Sequence, residues 1–202
     1  MTAIESGAPP ISVVMSCYNA ERWLAESIES ILSQTWRDFQ FIIVDDGSTD
    51  ETGHIIAHFA AQDARIVPIS KPNTGLADSL NMGIARARGT WIARLDADDL
   101  CEPERLASQL RAGSANAALV FVGTELVLID ERGQRSAVHH YPSSHRKLVA
   151  HLATARKFPA HSSAFFRADA FHRVGGYRPR IRRAEDLDLW LRLSEVGELT
   201  SL

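Results

Sequence analysis

Short apolar runs alternate with amphipathic stretches through the first hundred positions. Ile11-Ser12-Val13-Val14-Met15-Ser16 and Phe39-Gln40-Phe41-Ile42-Ile43-Val44 are rich in β-branched and aromatic residues, which predicts strands buried on both faces. Between them Leu24, Ile28, Ile31 and Leu32 recur at the helical period, with Asn19 placed to cap that helix. Ser48 and Glu51 form a capping-box pattern ahead of Ile55, Ile56 and Phe59. Ile66 to Ile69 predicts a third strand. Gly75 to Arg88 predicts a helix with Leu76, Leu80 and Ile84 in register, stopped by Gly89. Trp91 to Leu95 predicts a fourth strand. Such alternation implies parallel strands joined by crossovers.

The pattern changes after residue 100. Pro103 suits a first helical position for Glu104 to Ala112. Ala118 to Val122 and Glu125 to Ile129 read as strands, and Asp130-Glu131-Arg132-Gly133 as a turn. Ser144 to Ala155 reads as helix, Ser163 to Phe166 as strand, and Ala168 to Val174 as a short helix ended by Gly175-Gly176. The last clear element is Glu185 to Val196, which carries Trp190 at a core-facing position. The expectation is one α/β domain over residues 11–202 behind a disordered lead at 1–10. Its sheet is Rossmann-like and parallel at first, then mixed, with helices on both faces.

Length and composition agree: 202 residues with 45% hydrophobic and 23% charged positions suit a globular domain with a proper core. A formal charge of −3 argues against nucleic acid as principal partner. Cys17 and Cys101 have no ligand or scaffold spacing and read as free thiols. No apolar stretch is long enough to span a bilayer, and the first ten residues lack a secretory signal's pattern. The cytoplasm is the expected compartment.

In an open parallel sheet, ligands bind beyond the carboxyl ends of the strands. Three such ends carry chemistry: Ser16-Cys17-Tyr18-Asn19, Asp45-Asp46-Gly47-Ser48 and Asp96-Ala97-Asp98-Asp99. Carboxylates this close repel one another, and a hard divalent cation or a set of donors is the natural way to keep them ionised. Neither a G-x-G-x-x-G turn nor a Walker A run is present, so a diphosphate needs a metal or basic residues from elsewhere.

These residues give the chain a specific resemblance. Ser12 to Asn19, Ile43 to Asp50, Asn73-Thr74-Gly75, Asn81-Met82-Gly83-Ile84 and Gly89 to Asp99 match in order. So do His161-Ser162-Ser163, Val174-Gly175-Gly176-Tyr177 and Glu185 to Arg192. Together they resemble the family-2 nucleotide-sugar glycosyltransferases of GT-A fold, from about residue 11 to the end. The resemblance implies a nucleotide-binding half at 11–99 and an acceptor and catalytic-base half at 100–202. It implies that Asp46 accepts from the uracil N3–H of a UDP-sugar, and that Ser16, Tyr18 and Asn73 line the base and ribose pocket. Asp96 and Asp98 form its D-x-D pattern with Asp99 beside them. One or two of these three, with Asp98 and Asp99 as the expected ligands, hold Mg2+ or Mn2+ on the diphosphate, and another takes a ribose hydroxyl; members of the family differ in which carboxylate does which. Asp186 matches the general base, and its place in the first turn of a helix favours an anion.

The implied activity is inverting transfer of a hexosyl or N-acetylhexosaminyl group to a glycan or lipid-linked saccharide. Contact with the inner face of the membrane fits such an acceptor. Two departures stand out. Leu80 replaces an arginine that some relatives set before the asparagine matched by Asn81, and the chain stops soon after the base helix, where relatives commonly continue. A catalytically inactive donor-binding module is the alternative reading. A phosphorelay receiver would be half this length, and a haloacid-type phosphatase would need threonine where Leu100 stands. Of the remaining groups, His161 reads either as a contact to the donor or acceptor or as a buried histidine. Lys71, Arg182 and Arg183 read as solvated surface cations, and Asp45 as a support for its turn.

Overall fold

The structure, a computed structural model, describes residues 8–202; residues 1–7, most of the expected lead, lie outside the described residues. The four predicted strands form as β1 (Ile11–Cys17), β2 (Phe39–Asp45), β3 (Ile66–Ser70) and β4 (Trp91–Arg94). They run parallel in the order β3-β2-β1-β4, with Ile11 level with Phe39 on one side and Trp91 on the other. Side chains alternate across a strand, so each buried strand feeds two cores.

On one face Val13, Met15, Phe41 and Ile43 pack with Leu24, Ile28 and Ile31 of α1 (Leu24–Leu32), Ile56 of α2 (Thr52–Gln62) and Leu106 of α4 (Arg105–Ala115). On the other, Val14, Ile42 and Val44 pack with Leu80 and Ile84 of α3 (Leu76–Ile84). Leu80 is sealed in this second core, where a cation would be buried without a partner. At Gly89 an added Cβ would lie 2.4 Å from the backbone nitrogen of Ser12, so only glycine lets the chain cross β1 on its way into β4.

The sheet continues through β8 (Phe165–Arg167), β5 (Leu119–Gly123) and β9 (Glu198–Ser201), in the order β4-β8-β5-β9. β8 is antiparallel to both its neighbours, and β5 pairs parallel with β9. Leu148 and Leu152 of α5 (His145–Ala153), Phe171 of α6 (Ala168–Arg173) and Leu189, Trp190 and Leu193 of α7 (Glu185–Ser194) complete the second core. The result is the Rossmann-like sheet, parallel then mixed and covered by helices on both faces, that the resemblance implies. No helix among the described residues is long and apolar enough to cross a membrane.

Several local expectations are corrected. Asn19 caps no helix: its φ is +50°, and its side-chain oxygen accepts the Thr49 N–H at 2.9 Å, tying together the turns that follow β1 and β2. Helix α1 starts later, at Leu24. The capping box at Ser48 does not form, because its hydroxyl accepts the Asn19 N–H at 3.0 Å and α2 begins at Thr52. Helix α3 ends at Ile84, well short of Arg88. Two strands were not anticipated. β7 (Arg135–His139) pairs with β6 (Leu126–Ile129) in an exposed hairpin, and the edge strand β9 has Leu199 as its one large apolar residue.

Buried polar side chains join the two halves. Gln109, fully buried on α4, donates to the carbonyls of Val122 at 2.7 Å and Ser163 at 2.9 Å and accepts from Arg105 at 3.0 Å. Replacing it with leucine strands both carbonyls and one guanidinium N–H. Gln109→Leu is expected to cost at least about 3 kcal/mol in urea unfolding, at roughly 1–3 kcal/mol for each of the three buried groups left unpaired; a loss under about 0.5 kcal/mol would contradict this role.

Candidate functional site

β2, β1 and β4 are neighbours and parallel, so their carboxyl ends open on one edge. With strands about 4.8 Å apart, the ends of β2 and β4 lie roughly 10 Å apart, a span that a nucleoside diphosphate can bridge. At the β2 end, Asp45 accepts the Ser48 N–H at 2.9 Å and shapes the turn, as anticipated. Gly47 has φ +75°, and a Cβ there would meet the Asn73 nitrogen at 2.7 Å. Glycine is what lets the 71–75 loop close over this turn.

That loop is held by Asp46. Its Oδ1 accepts the Thr74 N–H and its Oδ2 the Gly75 N–H, each at 2.9 Å, and the Lys71 ammonium pairs with Oδ1. Burial pushes the Asp46 carboxyl up, but the bonds from Lys71, Thr74 and Gly75 outweigh it and hold the group below the ordinary carboxylate range. Lys71, read from sequence as a solvated cation, is instead buried, its side chain 7% exposed. The Asp46 Oδ2 accepts one N–H and keeps acceptor capacity. Ser16 is buried at the end of β1, while Tyr18 and Asn73 are exposed beyond the strand ends.

The β4 end is built around Arg94. This side chain is 1% exposed, and its guanidinium donates to Asp96 Oδ1 and to the Leu95 carbonyl. The other oxygen of Asp96 accepts the Ser162 hydroxyl at 2.5 Å, and the Asp96 N–H donates back to Ser162 Oγ at 3.0 Å. Burial raises the Asp96 carboxyl, but the Arg94 charge and the Ser162 bond bring it below the ordinary range. Ser162 lies on a 3-10 turn, His161–Ser163, that leads into β8. There His161 Nε2 meets the Tyr177 hydroxyl at 2.7 Å. Burial and the Arg94 charge push His161 down to about 3, so it is neutral at pH 7. His161 is part-buried and bonds a side chain, not the backbone; Trp190 is core, its indole N–H donating to the Pro159 carbonyl at 3.2 Å.

Asp98 is exposed and Asp99 half-buried, and neither is in an ion pair among the described residues. Burial, and then the charges of Asp96 and Asp98, raise the Asp99 carboxyl. A raised carboxyl beside an unpaired one is the situation a bound cation relieves. Among the described residues no three His, Cys, Asp or Glu side chains are grouped to hold a metal. One or two carboxylates nevertheless suffice where substrate phosphates complete the shell, as is usual for Mg2+. Asp98 and Asp99 fit that arrangement, whereas Asp96 is already committed to Arg94 and Ser162.

Asp186 is half-buried in the first turn of α7, its Oδ1 accepting the Leu187 N–H at 2.7 Å. Burial raises its carboxyl most, followed by the charge of Glu185, and the charge of Asp96 adds to both. The same two regions meet at Tyr177, where Asp186, Asp96 and Arg94 all act on the buried phenol. Asn81 clamps this junction, donating to the Tyr177 carbonyl at 2.8 Å and accepting its N–H at 2.9 Å. Arg182 and Arg183 are exposed, as read from the sequence.

Sequence reasoning gave no role to Arg94. A charged residue inside the apolar run Trp91 to Leu95 was the available signal, because an arginine there needs an anion close by.

The model of the family described as Glycosyl transferase family 2 matches residues 12–175. "Putative glycosyltransferase EpsE" of Bacillus subtilis (strain 168) is 41% identical over 196 residues, which is 95% of this chain and 69% of that protein. The crystal structure of S. aureus TarS 1-349 in complex with UDP aligns with a TM-score of 0.78 at 17% identity, covering 95% of this chain and 57% of that one. Mannosyltransferase PcManGT from Pyrobaculum calidifontis, in complex with GDP-Man and Mn2+, aligns with a TM-score of 0.75 at 19% identity, covering 98% and 55%. At these identities the two structures establish a shared fold. The chain spans little more than half the length of those solved chains, and 20% of two longer curated relatives.

Removing Arg94 leaves Asp96 without its counter-ion. Arg94→Met is expected to destabilise by about 3–5 kcal/mol, the usual cost of breaking a buried pair from one side. Arg94→Met with Asp96→Asn should recover a large part of that loss. Urea unfolding of the natural chain, both single variants and the double variant measures the coupling; strictly additive losses would mean that the two side chains do not interact.

Proposed function

The chain belongs to glycosyl transferase family 2 and is a glycosyltransferase of GT-A fold, and we propose that it moves a sugar from a UDP-sugar to a hydroxyl of a glycan or lipid-linked saccharide, with inversion and with help from Mg2+ or Mn2+. The observation that supports this reading is a chain of contacts: Ser162 bonds Asp96, and the neighbouring His161 bonds Tyr177 and lies edge-on to Trp190 of α7, the helix that carries Asp186. That chain of contacts supports placing the donor-side and acceptor-side carboxylates around one space.

In this reading Ser16, Tyr18 and Asn73 line the base and ribose pocket, and Asp46 accepts from the base with the capacity its loop leaves free. Asp96, oriented by Arg94 and Ser162, takes a ribose hydroxyl. Asp98 and Asp99 would hold the cation, which when bound neutralises charge on the departing diphosphate. Asp186 takes the proton of the acceptor hydroxyl as it attacks the anomeric carbon opposite the leaving group, so no enzyme nucleophile is required. The ligands of the two solved structures, UDP for one and GDP-Man with Mn2+ for the other, support a nucleotide-sugar donor and a metal. The uridine preference rests on the match at Asp46.

A base must be ionised to work, and the Asp186 carboxyl titrates above the ordinary range because of burial and the Glu185 charge. The acid limb of kcat/KM should therefore fall above the ordinary carboxylate range, activity rising with pH as Asp186 loses its proton. Asp186→Asn should leave UDP-sugar affinity within about twofold and cut transfer at least about 100-fold, the scale of general-base catalysis. Release of UDP across a panel of acceptor glycans measures this; full turnover in the variant would remove Asp186 as the base.

A further inference from the structure

The acceptor half carries a basic groove for which the donor chemistry has no use. Between Glu131 and Asp169 the chain contains no acidic residue. Helix α5 and the turn after it hold Arg146, Lys147, Arg156 and Lys157, all exposed and none in an ion pair among the described residues. In a chain of net charge −3 this is a local reversal of sign.

Two of these cations, Lys147 and Arg156, line a groove of about 930 Å³ together with Tyr141, Ser144, His151 and Thr154, with no carboxylate in its lining. Lys147, His151 and Thr154 follow one another along one face of α5, as the helical spacing requires. The opposite face sends Leu148 and Leu152 into the core, against Leu189, Trp190 and Leu193 of α7. Groove wall and base-bearing helix are thus one packed unit. At the groove's other side stands the half-buried Tyr141.

We propose that this groove holds an oxyanion of a long acceptor, a phosphodiester or a carboxylate repeated along a glycan, at a unit of the chain other than the one that reacts. The proposal rests on the transferase reading and names its acceptor class. Ammonium, guanidinium and hydroxyl donors around one hollow are the groups that recognise such oxygens. The volume exceeds what a lone phosphate needs and suits several sugar units. A bilayer surface is the poorer occupant, because the site is concave and the large apolar side chains of α5 point inward.

The test is calorimetric titration of the whole chain with a hexamer of glycerol phosphate, a hexamer of galacturonic acid, the fully methyl-esterified and therefore neutral hexamer, and phosphatidylglycerol vesicles. At least one anionic hexamer should bind about tenfold tighter than the neutral one, and the two anionic arms separate phosphate from carboxylate. Lys147→Gln with Arg156→Gln, both at exposed positions, should remove that preference and leave UDP affinity unchanged. Equal affinity for neutral and anionic hexamers, no hexamer binding, binding to vesicles alone, or an unaltered double variant would each overturn the proposal. Anionic binding without any UDP binding supports the groove and sinks the donor reading alone.

Discussion

A guanidinium sealed inside a sheet must be answered by an anion, and Arg94 imposes that condition on the whole carboxyl edge of the sheet. Asp96 answers it, and Ser162 fixes the second oxygen of Asp96. The carbonyl of Arg94 itself accepts from Arg105 at 2.8 Å, which brings α4 to the same point. The strand end after β4, the 3-10 turn before β8 and the start of α4 are thereby locked to one another. His161 and Tyr177 then carry the connection to α7, where Asp186 sits. Four segments distant in sequence converge because one buried charge leaves them little choice.

The same pair divides labour among the three carboxylates after β4. With Asp96 matched by Arg94, a cation has Asp98 and Asp99 as its free partners, and the raised Asp99 carboxyl marks the cost of leaving them without one. A site of this kind is finished by its substrate. That accounts for a chain whose described residues form no three-ligand cluster and which still fits a metal-assisted donor. At the opposite end of the donor edge the charge is answered within the protein: Lys71 and two backbone N–H groups settle Asp46. In the proposed reading the edge is held firmly where the base would bind and is open to a cation where the phosphates would lie.

Sequence pattern carried most of the parallel half, because buried strands such as Ile11 to Cys17 are continuous apolar runs and helices α1 to α3 show a clear apolar stripe. It failed where tertiary partners override local preference. Asn19 and Ser48 are good capping residues, yet here they bond each other's loops. β9 and β7 escaped notice because an edge strand and an exposed hairpin need no apolar run. The candidate carboxylates were legible through motif order, but their division of roles was not. That depends on Arg94 and Ser162, one read as part of a strand and the other as part of a motif without a part to play. Lys71 was misread for a related reason: nothing local in the sequence says that a loop lysine will be folded back onto an aspartate 25 residues earlier.

The most direct measurement is calorimetric titration of UDP with and without Mn2+, on the natural chain and on Asp99→Asn. Mn2+ should tighten UDP binding by at least about tenfold in the natural chain, on the scale of one charge-assisted contact, and that gain should vanish in the variant while metal-free affinity stays the same. Equal affinity with and without Mn2+ in the natural chain would contradict the account.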